Sequence, residues 1–190
     1  MIHYEILNIL DMLEEYGEEF VNRIISSFSC AKNPEVCDFL KKSAIDFAKK
    51  KISITYFALT ESGDLIAFFT LAHKPLMIQD EGLSQSVRRK LARYSYYDGK
   101  TFSLSAFLIA QFARNDLFSH ENLSGDDLMN TVFDVLGNIQ RAIGGGVVYL
   151  ECEDNAKLLR FYKGERNAFR LFGRRFINPN EYYLQLIRFV

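Results

Sequence analysis

Strand and helix patterns alternate in the second half of the sequence, and this alternation constrains the fold most strongly. Residues 102–113 and 147–152 are apolar runs typical of buried strands. Each run is followed by a segment whose apolar residues recur every three or four positions, the first starting at Ser124 and the second covering residues 155–162. The Ser124 hydroxyl is suited to cap a helix. This order predicts helices packed on a central sheet.

The first half of the sequence predicts one strand, two helices and a hairpin. Residues 2–10 alternate loosely and indicate an edge strand, while residues 18–28 and 34–51 have apolar side chains at helical spacing. Residues 52–60 and 65–72 are rich in β-branched and aromatic side chains and flank a short polar turn. These two segments therefore predict a β-hairpin.

The remaining segments complete a mixed α/β arrangement. Residues 74–102 predict a long connection with one helix at 83–94, and strands are expected near 168–172 and 182–190. At 190 residues the chain suits a single domain, because domains commonly contain about 100–200 residues. We therefore expect residues 1–190 to form one α/β domain.

Composition and charge exclude several classes of protein. The chain has 48% hydrophobic residues and a net charge of −1, with 23 Lys and Arg against 24 Asp and Glu. These values are typical of globular domains and argue against a disordered chain. A net charge of −1 also argues against tight RNA binding, because contacts with phosphates require clustered Lys and Arg.

Sequence patterns indicate a cytoplasmic protein. The longest uncharged stretch, residues 101–113, is shorter than the roughly 18 apolar residues of a membrane span, and the N-terminal segment is too acidic for a signal peptide. Cys30, Cys37 and Cys152 are odd in number and widely spaced, which suits a reducing compartment. The histidines, at positions 3, 73 and 120, are too scattered to predict a metal site.

The order of motifs over residues 103–173 resembles the GNAT superfamily of N-acetyltransferases. Residues 111–115 fall where that family ends its fourth strand, residues 120–125 fall on its diphosphate-binding loop, and Asn155 with Tyr162 matches its Asn…Phe-Tyr pattern. The resemblance implies a mixed, mostly antiparallel central sheet with splayed fourth and fifth strands and helices on both faces. It also implies acetyl-CoA as cosubstrate.

The resemblance further implies which residues bind acetyl-CoA. A helix N-terminus offers free N–H groups and a positive dipole end, which together bind anions. The implied cofactor-binding residues are Phe112, Arg114, His120, Asn122, Leu123, Ser124, Gly125, Asp126 and Asn155.

This sequence departs from the family pattern (Arg or Gln)-x-x-Gly-x-(Gly or Ala) in the loop. His120 stands at the first position, Leu123 replaces the first glycine, and Asp126 and Asp127 follow Gly125. Two carboxylates in the first helical turn stabilise a bare helix but repel a phosphate. These departures support an alternative function as a GNAT-like interaction protein.

Two residues are candidates for catalysis. The resemblance implies that the Tyr162 hydroxyl protonates the leaving thiolate, a general-acid role that a phenol can fill. Glu151, at the end of a strand, is a candidate general base for the attacking amine, directly or through water. Structural alternatives remain open: Tyr162 as a core residue, Glu151 as a solvated carboxylate, and Ser124 as a helix cap only.

The resulting functional hypothesis is transfer of an acetyl group from acetyl-CoA to a primary amine. The acceptor is a small molecule or, as in the toxin-like acetyltransferases that the N-terminal half resembles, the aminoacyl group of charged tRNA. The basic segments 41–51 and 88–93 are candidate contacts for RNA. No membrane partner is expected, and a homodimer is one assembly that the sequence leaves open.

Overall fold

A computed structural model describes residues 3–119 and 123–190 of the chain. The strands are β1 (Tyr4–Asn8), β2 (Ile54–Thr60), β3 (Leu65–Gln79), β4 (Tyr96–Tyr97), β5 (Thr101–Arg114), β6 (Val147–Cys152), β7 (Arg170–Asn178) and β8 (Glu181–Phe189). The helices are α1 (Ile9–Tyr16), α2 (Glu18–Ser26), α3 (Pro34–Lys42), α4 (Ala44–Lys49), α5 (Gln85–Leu91), α6 (Gly125–Ile143) and α7 (Ala156–Lys163). In the described ranges, no helix combines the length and apolar character that crossing a bilayer requires.

The strands form one eight-stranded sheet in the order β1-β2-β3-β5-β6-β8-β7, with β4 paired to β5. The pairs β1–β2, β2–β3, β4–β5, β6–β8 and β7–β8 are antiparallel. Strands β5 and β6 pair in parallel through Phe107–Ile109 and Val148–Leu150. The predicted fourth and fifth strands are therefore β5 and β6, and the mixed, mostly antiparallel sheet is confirmed.

The chain divides into two compact units. The first unit contains residues 1–72 and 110–132, and the second contains residues 73–109 and 133–190. Each unit is thus assembled from two separate chain segments. The prediction of one domain over 1–190 stays a prediction.

Helices of the first unit lie on both faces of β1 and β2. Leu7 and Phe57, which pair in register, belong to the core that α1–α4 form on one face. Tyr4 lies three residues before Leu7 and so faces the other side of the sheet. There its hydroxyl lies 3.3 Å from the Thr131 hydroxyl of α6. Layers on both faces agree with the fold that the resemblance implies.

The second unit has a core of its own. Its buried side chains come from α5 and from the strands that α5 covers: Leu76, Ile78, Val87, Leu91, Phe102, Leu104, Ala106, Val147, Tyr149 and Ile187. The helix predicted at 83–94 is α5, which is shorter than predicted and buries Val87 and Leu91.

Other predicted element boundaries are also wrong, and three of them have a clear physical reason. The strand expected at 2–10 ends at Asn8, because the Asn8 side chain accepts a hydrogen bond from Leu10 N and caps α1. The helix expected at 34–51 breaks at Ser43, whose φ of −127° leaves the helical region. The connection expected at 74–102 is shorter because β3 continues to Gln79, with Leu76 and Ile78 buried in alternation.

Candidate functional site

In the first unit, the end of β5 is joined to the residue that precedes the cap of α6. The Arg114 guanidinium donates to the Leu123 carbonyl oxygen at 2.9 Å, and burial lowers the pKa of Arg114. Phe112 is half-buried on the same strand, whereas the Leu123 side chain is buried. Only the backbone of Leu123 is therefore suited to face an anion. His120 and Asn122, two predicted cofactor contacts, lie outside the described residues.

Two residues that the sequence analysis did not select fix the chain just after β5. The buried Asn115 donates from Nδ2 to the Leu65 carbonyl at 2.8 Å and accepts from Ser29 N at 3.2 Å. The Asp116 carboxylate accepts from Ala31 N at 2.7 Å. These bonds hold the segment that leaves β5 against the end of α2 and the start of β3. In the sequence, the only sign of this role is that both residues directly follow a strong strand pattern.

The start of α6 has the cap that the sequence predicts. Ser124 Oγ accepts from Asp127 N at 3.1 Å and donates to Asp127 Oδ2 at 2.6 Å. The Ser124 carbonyl accepts the first helical bond, from Leu128 N at 3.1 Å. Gly125 and Asp126 then occupy the first turn, where N–H groups lack acceptors within a helix. The Asp127 carboxylate is held by the cap hydroxyl, so its negative charge stays at the helix start.

In the second unit, Tyr162 lies on α7 with its side chain buried. Its ring meets the rings of Phe161 and Phe169 edge-on, at centroid distances of 4.9 and 6.0 Å. The Tyr162 hydroxyl makes no hydrogen bond within the described part of the chain. Burial, together with the nearby Cys152 sulfur, raises the pKa of Tyr162 well above its ordinary value. The phenol therefore keeps its proton at neutral pH.

Glu151, on β6, is held by both of its carboxylate oxygens. Arg175 Nε of β7 donates to Oε2 at 2.6 Å, and Gln185 Nε2 of β8 donates to Oε1 at 2.9 Å. This carboxylate thus links three adjacent strands. The alternative of a solvated carboxylate does not fit this geometry, and the role of a general base stays a prediction.

Asn155 and Cys152 have structural contacts of their own. Asn155 Oδ1 caps α7 by accepting from Lys157 N at 2.8 Å and from Leu158 N at 3.4 Å. Burial raises the pKa of the Cys152 thiol to about 11, so this thiol is not a nucleophile at neutral pH. Cys152 ends β6, and Asn155 directly precedes the helix that carries Tyr162.

The loop after α7 adopts a strained backbone conformation at one residue. Ala168 has a φ of +52°, in the left-handed region that glycine favours. The neighbouring Asn167 is buried and donates from Nδ2 to the Phe161 carbonyl at 2.9 Å, which fixes the loop to the end of α7.

The predicted site residues therefore fall into two groups. Phe112, Arg114, Leu123, Ser124, Gly125 and Asp126 lie in the first unit, around the end of β5 and the start of α6. Glu151, Asn155 and Tyr162 lie in the second unit, around the end of β6 and along α7.

Comparisons with known proteins identify the fold. No protein-family profile and no curated protein sequence matches the chain. A structure of AtaT complexed with acetyl-methionyl-tRNAfMet matches with a TM-score of 0.66 and 17% identity, over 98% of this chain and 95% of that one. A Tyr-to-Phe variant of KacT matches with a TM-score of 0.65 and 17% identity, over 96% and 93%. AtaTR bound with AcCoA matches with a TM-score of 0.60 and 15% identity, over 97% and 92%.

The chain has the GNAT fold. The GNAT fold confirms the architecture expected from the order of motifs over residues 103–173. At 15–17% identity the likeness concerns the fold, and it extends over nearly the whole length of both chains.

Proposed function

We propose that this protein is an N-acetyltransferase that uses acetyl-CoA and acetylates the aminoacyl group of charged tRNA. The observation that carries the proposal is the likeness in fold to AtaT, which was solved with acetyl-methionyl-tRNAfMet and matches 98% of this chain. The structure of AtaTR bound with AcCoA supports the same cosubstrate. The Tyr162 hydroxyl, carried by a buried side chain and not hydrogen-bonded in the described part of the chain, supplies a group suited to the reaction.

The proposed reaction is direct transfer. The neutral amine of the aminoacyl group attacks the thioester carbonyl, a C–N bond forms, and the C–S bond breaks. The leaving thiolate takes its proton from the Tyr162 hydroxyl. The surplus proton on the new amide nitrogen passes to solvent, and solvent returns one proton to the tyrosinate. A general acid within hydrogen-bond reach of a leaving group contributes about 10²–10⁴-fold to a rate.

We assign the diphosphate of acetyl-CoA to the start of α6 in the first unit. Ser124 and Gly125 supply a capped helix N-terminus, whose N–H groups and dipole favour anions. Arg114 fixes the preceding loop through the Leu123 carbonyl. Phe112, His120, Asn122, Asp126 and Asn155 remain proposed contacts of the cosubstrate.

We propose that the two units act as one acetyltransferase domain over residues 1–190. The chain passes between them at residues 72–73, 109–110 and 132–133, which lie inside β3, β5 and α6. A regular element that continues through a boundary leaves no linker there, whereas separate domains are joined by flexible linkers. Charged tRNA is a cytoplasmic substrate, so the cytoplasm is the proposed compartment.

Acetyl-CoA binding is the first test. A ligand at about 100 times its Kd stabilises the folded state by about 2.7 kcal/mol, which raises Tm by several degrees at this chain length. We expect this shift in the wild type and its loss in Gly125→Val, whose side chain blocks the start of α6. Gly137→Val is the matched control, because Gly137 lies on the same helix with open space around its Cβ position.

Acetyl transfer is the second test. Thiol release is measured with charged tRNA, with deacylated tRNA and with a small amino acid ester as acceptors. Release that requires the aminoacyl group and is faster with charged tRNA supports the proposal. No thermal shift and no thiol release at millimolar acetyl-CoA would favour the alternative, an interaction protein in which Asp126 and Asp127 repel the diphosphate.

A further inference from the structure

Charge is strongly segregated between the two units. The second unit contains fifteen Lys and Arg against nine Asp and Glu, a net charge of +6. The first unit contains eight Lys and Arg against fifteen Asp and Glu, a net charge of −7. The overall net charge of −1 therefore conceals a basic unit, whose charge of +6 is suited to binding RNA.

The exposed cations of the second unit include six arginines on α5, just after it and on β7. We call them the α5–β7 surface: Arg88, Arg89, Arg93, Arg170, Arg174 and Arg175. Arg170 Nη1 donates to Ser86 Oγ at 3.0 Å, which joins the start of β7 to α5. Arg175 lies on the same face of β7 as Arg170, whereas Arg174, which pairs in register with Leu184, points to the opposite face. The surface therefore runs from α5 around the edge strand β7.

Several of these guanidinium groups are held in place. Arg88 pairs with Asp80 at 2.7 Å, and Arg174 lies over the Tyr182 ring at 4.8 Å. Arg89 and Arg93 form no ion pair with any carboxylate among the described residues, so their charge is not neutralised locally. Fixed guanidinium groups lose little conformational entropy when they bind phosphate, and they match its geometry with two parallel donors.

Exposed aromatic rings lie on β7 and on β4, the short strand that follows α5. Phe176 of β7 is 63% exposed, and Tyr96, five residues after the end of α5, is 74% exposed. Exposed rings beside arginine are the usual platform on which nucleic-acid bases stack. β7 is also the last strand in the sheet order, and seven of its nine residues are exposed.

We propose that the α5–β7 surface binds the phosphate backbone of the RNA that carries the aminoacyl acceptor. This inference rests on the proposed function and names the surface that recognises the substrate. The positive charge of the α5–β7 surface favours a polyanion as its partner. A second copy paired along β7 would bring two arginine-rich strands side by side, and like charges on facing strands are destabilising.

The path of this surface points to the candidate catalytic residues of the second unit. In the half of the β7–β8 hairpin nearer its turn, Arg175 pairs with Glu151, and Tyr182 OH donates to Asp154 Oδ2 at 2.7 Å. Asp154 directly precedes Asn155, the cap of the helix that carries Tyr162. RNA lying along β7, which spans roughly 30 Å at about 3.3 Å per residue, would thus lead its end toward α7.

Charge reversal tests this surface. The variants are Arg89→Glu with Arg93→Glu, and Arg174→Glu alone. The control is Lys41→Glu, an exposed lysine in α3 of the first unit and part of the competing basic segment 41–51. Binding of fluorescent deacylated tRNA is followed by anisotropy from low to physiological salt. We expect at least a tenfold loss of affinity in the first two proteins, and a salt slope smaller by about 1 per phosphate contact removed.

The outcomes separate this inference from the proposed function. Acetyl transfer to a small amino acid ester should be unchanged in the same variants, because it does not require RNA contacts. If the arginine variants lose tRNA binding but still acetylate the ester, both proposals are supported. If they lose tRNA binding and the wild-type protein shows no acetyl transfer, only the RNA surface is supported. Unchanged tRNA affinity in both arginine variants, or a loss confined to Lys41→Glu, overturns the inference. If the variants lose both tRNA binding and a dimeric state, the surface is a contact between two copies of the chain. That result would also overturn the inference.

Discussion

Arg175 and Glu151 form an ion pair across β8, with 2.6 Å between Nε and Oε2. Gln185, on the intervening strand, donates to the other carboxylate oxygen. We predict that Glu151→Gln and Arg175→Gln each lower the free energy of unfolding by about 0.5–1.5 kcal/mol, because the pair is partly exposed. The loss of stability in the double variant should be smaller than the sum of the two single losses, because both changes remove the same interaction. Urea denaturation measures all three values.

The same variants separate a positioning role of Glu151 from a role as general base. Positioning predicts that kcat falls by less than about tenfold in Glu151→Gln and equally in Arg175→Gln. A general base would contribute about 10²–10⁴-fold, so a fall of that size confined to Glu151→Gln would assign it that role. Glu153→Gln, an exposed neighbour beyond the strand, is the matched control.

Asp127 tests whether the start of α6 binds a phosphate. In Asp127→Asn the side chain can still accept from the Ser124 hydroxyl, but the negative charge is gone. We predict a loss of about 0.3–1 kcal/mol in stability, because an acid at a helix N-terminus is favourable. Affinity for acetyl-CoA should rise severalfold, measured by calorimetric titration. The control, Asp134→Asn, changes an exposed acid further along the same helix and should leave affinity unchanged. Equal affinities in the two variants would place the phosphate elsewhere.

The features predicted correctly from the sequence are those that depend on nearby residues. The Ser124 cap, three residues from Asp127, and the hairpin of β2 and β3 both follow from local patterns. The partner of Glu151 does not, because Arg175 reaches it through the register of three strands. A residue pair that depends on strand register cannot be deduced from spacing along the chain.

Charge segregation was hidden from the sequence for a related reason. Each unit combines two distant segments, so the acidic and basic residues alternate along the chain but separate in the fold. The extension of β3 to Gln79 was missed because Pro75 interrupts the pattern. A proline within a strand lacks a backbone donor and argues against a strand when only the sequence is considered.

Ala168 is predicted to be a site where glycine stabilises the fold. Its φ of +52° costs an L-residue about 1–2 kcal/mol relative to the right-handed region, whereas glycine adopts it freely. Ala168 is exposed, so removing its methyl group leaves no cavity. Glycine also raises the entropy of the unfolded chain, which offsets part of this gain. Ala168→Gly should therefore raise the free energy of unfolding by about 0.5–1 kcal/mol, measured by urea denaturation. Ala31→Gly, at an exposed residue without positive φ, should lose stability. A loss in both variants would contradict the strain at Ala168.

Cys152 is predicted to make stability fall at alkaline pH. Its folded-state pKa is about 11, whereas an unfolded thiol titrates near about 8.5. Above the unfolded value the unfolded state releases the proton first, so stability is full below about pH 8.5 and declines until the pH passes the folded value. The decline should be on the order of 2 kcal/mol by about pH 10. Cys152→Ala should flatten this part of the profile and Cys37→Ala should not. A decline that persists in Cys152→Ala would assign it to another group.

Tyr162→Phe tests the proposed general acid. The variant keeps the ring contacts with Phe161 and Phe169 and removes a hydroxyl that makes no hydrogen bond in the described part of the chain, so Tm should hold. We predict that kcat falls about 10²-fold while KM for acetyl-CoA stays nearly constant, because the proton is needed only as the thiolate leaves. Since burial raises the pKa of Tyr162, its hydroxyl stays protonated and should add no alkaline limb to the wild-type rate below about pH 10. Tyr149→Phe is the matched control, because Tyr149 is 7% exposed against 8% for Tyr162. Equal kcat in wild type and Tyr162→Phe would leave Tyr162 as a core residue and require another proton donor for the thiolate.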